Sequence, residues 1–150
     1  MSGTEVHRLQ DVERAVKEEV GFKLFTILAF RDQGRQMERI YSSHPREYPV
    51  GGRKDVTRDV AKDWLDVCLV AQKPFFGQTR ADVEWIFKDA DLITSLGCGS
   101  IINAPILRAD TTVAALNVLD AEGAYTEQDV DKVLDIARRY TATILEAAGE

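Results

Sequence analysis

Apolar residues recur along the chain at two distinct spacings. Val6, Leu9, Val12, Val16 and Val20 lie three or four residues apart, one stripe of a helix that Ser2 or Thr4 can cap and Gly21 ends. Glu13, Lys17 and Glu18 fall on its wet side. Residues 22–30 (FKLFTILAF) then form a continuous β-rich run, Arg31-Asp32-Gln33-Gly34 a turn, and 36–43 (QMERIYSS) a returning strand, which together predict a β-hairpin. Residues 44–56 (HPREYPVGGRKDV) hold two prolines and two adjacent glycines and predict a long ordered loop. Loops of that length inside compact domains are more often functional than connective. Thr57 is placed to cap a helix over 58–71 with Val60, Trp64, Val67, Cys68 and Ala71 on one face. Lys73-Pro74-Phe75-Phe76-Gly77 is a short extended piece that Pro74 confines to an edge or a strand start. A helix opening at Thr79 carries Val83, Ile86, Phe87, Ala90 and Ile93 to a Gly97-Cys98-Gly99 corner.

The clearest strand–turn–strand signal follows, in 100–107 and 113–119 around the polar run 108–112. Each strand carries one polar residue among apolar ones, Asn103 and Asn117. A two-residue turn at Asp110-Thr111 pairs Ala104 with Asn117 and puts the two asparagines on opposite faces. Thr126-Glu127-Gln128-Asp129 is a capped start for one final helix, with Val130, Val133, Leu134, Ala137, Tyr140, Ile144 and Leu145 in a 3.6-residue stripe. The order α-β-β-loop-α-β-α-β-β-α implies an α+β domain with an antiparallel sheet covered by helices. No repeat or boundary divides it, so residues 1–150 are expected to form one domain.

Composition narrows the function. A chain of 150 residues, 45% hydrophobic and 29% charged, can bury a core without staples. Its net charge of −6 disfavours non-specific nucleic-acid binding, and no basic run exceeds Arg138-Arg139. No apolar run approaches the ~20 residues a membrane span needs, and the charged N-terminus does not read as a signal peptide. The expected location is the cytoplasm, where Cys68 and Cys98 are most simply free thiols.

Order and residues together resemble the GAF domain. The residues that carry the resemblance are Leu96-Gly97, Ser100, Pro105, Val113-Ala114, Leu116, Val118 and Tyr125-Thr126 with Asp129, together with Lys73-Pro74. The loop from Tyr41-Ser42-Ser43-His44-Pro45 through Tyr48-Pro49-Val50-Gly51-Gly52 is similar to small stand-alone bacterial members. The resemblance implies a profilin- and PAS-like central antiparallel sheet of five or six strands. The N- and C-terminal helices pack on one face and a small-molecule cavity lies on the other. The specialised members are not matched. The cyclic-nucleotide set Asn-Lys…Phe-Asp-Glu has no counterpart, and neither cysteine precedes a histidine as in bilin attachment. The free methionine sulfoxide reductases have a cysteine about a dozen residues before the strand proline, where this chain has Ile93, and another in the loop that here reads Val50-Gly51-Gly52. Ala114 stands where the family commonly has Gly.

Candidate chemistry is sparse. His7 and His44 are the only histidines and no spaced ligand cluster exists, so no metal and no cofactor are expected. His44, entering the long loop, reads as a ligand contact or acid–base group, or else as a surface hydrogen-bonding residue. Gly51-Gly52-Arg53-Lys54 offers amides and cations for an anion nest, or a solvated turn. Of Trp64 and Trp85, the second is expected to line the cavity, because it is off the stripe of Val83, Ile86 and Ala90. Cys98, between two glycines, reads as a thiol with a lowered pKa or as a small buried hydrophobe; Cys68 reads as core. Asn103, just before Pro105, is expected to face the cavity on the strand that the resemblance makes its floor. The carboxylates Asp82, Glu84, Asp89 and Asp91 scatter around a helix and read as solvated.

The leading expectation is a stand-alone sensory module that binds a small, anionic or aromatic molecule among Tyr41, His44, Lys54, Trp85, Cys98 and Asn103. It acts through a partner or through a homodimer made by the first and last helices. An enzyme using Cys98 or His44 in the same cavity is the alternative. A structural adaptor whose cavity is filled by its own side chains is the third reading.

Overall fold

The computed structural model describes residues 2–87 and 90–150, with side chains over 8–87 and 93–150. The side chains of Ser2, Thr4, Val6, His7, Asp89, Ala90 and Asp91, named above, lie outside the described residues.

Six strands form one sheet: β1 (Leu24–Arg31), β2 (Gln36–Ser42), β3 (Arg53–Asp55), β4 (Phe75–Gly77), β5 (Ser100–Arg108) and β6 (Thr111–Asp120). Their spatial order is β3-β2-β1-β6-β5-β4 and every neighbouring pair is antiparallel. The period-2 alternation of β1, β5 and β6 divides their side chains between the two faces. Phe25, Ile27, Ile102, Ala104, Ile106, Ala114, Leu116 and Val118 pack with the helices α1 (Ser2–Glu19), α6 (Glu127–Arg139) and α7 (Thr141–Ala148). Val12, Val16, Val133, Ile136 and Ile144 complete that layer with no measurable exposure, each contributing about 1.5–3 kcal/mol by burial.

The opposite face is covered by shorter pieces. These are α2 (Val56–Asp59), α3 (Lys62–Leu65) running on into a π-helical turn at Asp66–Val70, α4 (Arg80–Ile86) and α5 (Ala90–Ser95). Val56, Trp64, Cys68, Val83, Ile86 and Ile93 from these pieces pack with Leu24, Ile101 and Leu119 of the sheet. No helix among the described residues is long and apolar enough to cross a membrane.

Several boundaries differ from the expected ones. The helix over 58–71 is interrupted where Val60 turns extended and bridges to Phe87. Asp55, not Thr57, caps its first turn, accepting from the Thr57 and Arg58 amides at 3.0 and 2.9 Å. The long loop ends in the edge strand β3. The final helix breaks at Tyr140 (φ −109, ψ 14), and Thr141 Oγ1 donates to Ala137 O at 2.7 Å across the break.

The central hairpin carries the correction that matters most. Its two-residue turn is Ala109-Asp110, with Arg108 opposite Thr111. The register then shifts by one between Ile106 and Leu107, so that Asn103 lies directly opposite Asn117. A one-residue slip reverses every face assignment beyond it. Both asparagines therefore share the face away from the long helices.

Candidate functional site

A cavity of about 40 Å³ lies between that face and the short helices. Leu24, Thr26 and Leu28 of β1, Ile101 and Asn103 of β5, and Asn117 and Leu119 of β6 make its floor. Trp64, Phe87 and Ile93 roof it, and Arg39, Tyr48 and Lys54 close the side towards β2 and β3.

One polar chain crosses the floor and reaches the roof. The Trp64 indole Nε1–H donates to Asn103 Oδ1 at 2.9 Å, and Asn103 Nδ2 donates to Asn117 Oδ1 at 2.6 Å. Asn117 Nδ2 ends the chain on Thr26 Oγ1 at 3.3 Å and on the Ala115 carbonyl at 3.3 Å. All four residues are buried, where an unmade hydrogen bond costs more than a made one contributes. The chain therefore fixes the height of the indole above the sheet. Trp64 is held from the side as well, its ring centroid 6.4 Å from both Phe30 and Phe87.

Arg39 reaches the cavity because β2 is bulged. Ile27 pairs with Tyr41 but Leu28 pairs with Arg39, so Ile40 is extra and residues 39 and 41 end on opposite faces. The expected loop is built around this arginine. Arg39 Nη1 donates to Pro49 O at 2.9 Å, its guanidinium lies 4.7 Å from the Tyr48 ring centroid, and its amide donates to Gly52 O at 2.9 Å. A Cβ on Gly52 would come within 2.7 Å of Nη1, so the close approach requires glycine there. The neighbouring Gly51 amide donates to Arg39 O and the Gly52 amide to Pro49 O. These amides face the protein's own carbonyls, and Arg53 bonds Gln36 and Glu38, so the anion-nest reading of Gly51-Gly52-Arg53-Lys54 is corrected. Lys54 stands apart from that group, on the cavity wall with Nζ 5.1 Å from the Phe87 ring centroid.

Of the six expected site residues, the structure brings Lys54 and Asn103 to the cavity. Tyr41 lies on the other face of the sheet, edge-on to Phe25 and with its hydroxyl on Glu13 of α1. Burial first, and then the bond to Glu13, raise the pKa of that phenol. His44 sits at the head of the loop, where Nδ1 and Ser43 Oγ are 2.8 Å apart, and it does not line the cavity. Trp85 is 71% exposed, its indole donating to Asp63 Oδ2 at 3.1 Å on the outside of the roof. Its position off the α4 stripe points it to solvent, and Trp64 takes the place expected for it.

Cys98 is buried away from the cavity, and burial, followed by the Asp120 carboxylate, pushes its thiol up to about 11. The flanking glycines do not supply a thiolate site. Cys68 is core, with its thiol pushed up to about 12 by burial. Asp82 is committed to the α4 capping box, accepting from the Gln78 and Thr79 amides at 3.0 and 3.2 Å. Residues the sequence did not reveal are Arg39, Thr26 and Phe87. For Arg39 the one available signal was Gly52, which its close approach to the guanidinium explains, whereas the neighbouring Gly51 is explained by its positive φ of 94°.

No family model matches the sequence, and no curated protein matches it. Solved structures do. A GAF domain/HD domain protein from Geobacter sulfurreducens superposes with a TM-score of 0.75 at 8% identity, over 97% of this chain and 95% of that one. The GAF domain of a two-component sensor histidine kinase from Bacillus halodurans gives 0.70 at 14% identity, over 96% and 97%. The second GAF domain of DevS from Mycobacterium smegmatis gives 0.66 at 12% identity, over 97% and 96%. Sheet order, helix placement and these superpositions agree that the chain has the GAF fold.

Proposed function

We propose that the chain is a one-domain sensory module that binds a small molecule in the cavity beneath Trp64. The carrying observation is the cavity itself: a buried polar chain on one side and two cations, Arg39 and Lys54, on the other, inside an otherwise apolar wall. Buried polar groups placed in an apolar pocket are what orients and selects a ligand. A sensory role is also supported by likeness in fold to a domain of a sensor histidine kinase. Lys54 and Asn103 remain the proposed contacts, joined now by Arg39 and Trp64. The catalytic alternative loses its reactive groups, since neither Cys98 nor His44 lines the cavity. The open volume speaks against the filled-cavity adaptor.

A thermal-shift screen of cytosolic metabolites tests the reading. A ligand at a hundred times its Kd stabilises by about 2.7 kcal/mol, enough to raise Tm by several degrees. Trp64→Phe, which deletes the donor to Asn103 but keeps an aromatic ring, should abolish the shift. A screen in which no compound raises Tm sinks the proposal.

The reading includes a homodimer through the first and last helices, operating in the cytoplasm. The inner faces of α1 and α7 are buried in the core, and Arg8–Glu146 at 2.8 Å joins the two helices at their exposed edges. The dimer contact therefore uses the outward faces. Light scattering after size exclusion should give twice the chain mass, and a monomer at every concentration overturns it.

A further inference from the structure

The chemistry of the cavity wall selects a ligand class, an inference that rests on the sensory reading and goes further. We infer that the ligand is a neutral, predominantly apolar molecule, held by burial of its carbon surface and not by pairing of a charge.

The polar groups of the wall come first, because each side chain that brings one is already engaged inside the protein. The Trp64 indole N–H is donated to Asn103, the Asn103 amide to Asn117 and the Asn117 amide to Thr26. Arg39 donates to Pro49 O and lies against the Tyr48 ring. Arg39, Tyr48 and Lys54 all have partners within the chain. A carboxylate, phosphate or ammonium that enters here leaves water and must take its partners from interactions already made. That exchange costs the solvation of the guest as well as the interaction given up. A guest without charge meets neither cost.

The apolar surface comes second. Leu24, Leu28, Ile101 and Leu119 on the floor and Phe87 and Ile93 on the roof offer only carbon. Walls made of Leu, Ile and Phe take up aromatic hydrocarbons and xenon, with a gain that grows with the apolar area removed from water. The Trp64 ring is held above this floor by its bond to Asn103. An apolar guest makes no claim on that bond, so the roof keeps its anchor when the cavity fills.

The two tryptophans make the test direct. In the full chain labelled with ¹⁵N, the Trp64 indole N–H reports the cavity and the Trp85 indole reports the surface. Toluene, benzoate and benzylammonium share a ring and differ in charge, and they are titrated separately at constant ionic strength. Xenon under pressure is a fourth probe, smaller and apolar. Toluene or xenon should move the Trp64 signal saturably while Trp85 stays still. Benzoate and benzylammonium should bind at least about tenfold more weakly than toluene. Leu28→Phe, which puts a larger side chain into the wall at a half-buried position, should weaken the response to the apolar probe by about tenfold or more. Ile93→Phe, on the roof, should do the same, and the Trp64 signal shows whether each variant has kept its fold.

The other outcomes count against the inference. Benzoate or benzylammonium moving Trp64 as readily as toluene does overturns the argument from charge and leaves the sensory reading intact. Both indoles moving together is adsorption to the surface and overturns the site. Folded Leu28→Phe and Ile93→Phe responding as the parent does place the apolar probe elsewhere. Silence from toluene and xenon alike overturns the ligand class, and the metabolite screen then judges the sensory reading alone.

Discussion

Asn103 serves two neighbours at once, as acceptor for the Trp64 indole and donor to Asn117. Asn103→Ala leaves the Trp64 indole N–H on the roof and Asn117 Oδ1 on the floor without their partner, at about 1–3 kcal/mol each. The expected loss is about 3 kcal/mol, read as a lower urea midpoint with unchanged slope. A loss below about 1 kcal/mol would mean that water replaces the amide without penalty. Asn103 was legible in the sequence because an amide in an apolar strand has to be answered by something. Arg39 was not. In QMERIYS the charged residues Glu38 and Arg39 stand side by side between Met37 and Ile40, and the extra residue at Ile40 leaves no mark in the sequence. The tryptophans were read the wrong way round for a related reason. A residue off a helix's apolar stripe points to water, and Trp85 follows that rule rather than the expectation placed on it.

Among the elements, the hairpins and the long helices were legible because each has enough residues for its period to show. β5 and β6 needed only their runs of Ile, Val, Leu and Ala. Their register was not legible, because the shift at Ile106–Leu107 is a local backbone choice that changes no apolar position. The helix over 58–71 failed on a tertiary ground. Val60 pairs with Phe87 across the roof, and the Ala61 amide donates to Ile86 O at 3.0 Å, which draws the backbone out of the helix. The break at Tyr140 turns the C-terminal chain onto α1, where Arg139 reaches Glu19 at 2.6 Å and Arg8 reaches Glu146 at 2.8 Å. The stripe of the last helix continues across that break, so periodicity alone reads one element where there are two.

At the scale of the whole molecule, the titration of buried groups sets an alkaline limit on stability. Burial raises the Cys98 thiol from its ordinary 9.0 to about 11 and the Cys68 thiol to about 12, and it raises the Tyr125 phenol as well. The folded chain thus holds these protons more tightly than the unfolded chain does. Stability attributable to them is complete below pH 9 and falls as pH rises through about 11. Urea unfolding at pH 8, 9.5 and 11 should show a falling midpoint, and Cys98→Ala should flatten part of that fall. A midpoint independent of pH over the range overturns the assignment. The sheet also has a consequence for how such a chain can change over generations. It stands as a partition between long helices with a closed apolar layer and short ones of four to seven residues that roof the cavity. Helices that short are not stable alone and take their order from the packing around them. Substitutions that reshape the roof therefore leave the other layer intact, and the fold can be inherited while the cavity beneath the roof is rebuilt.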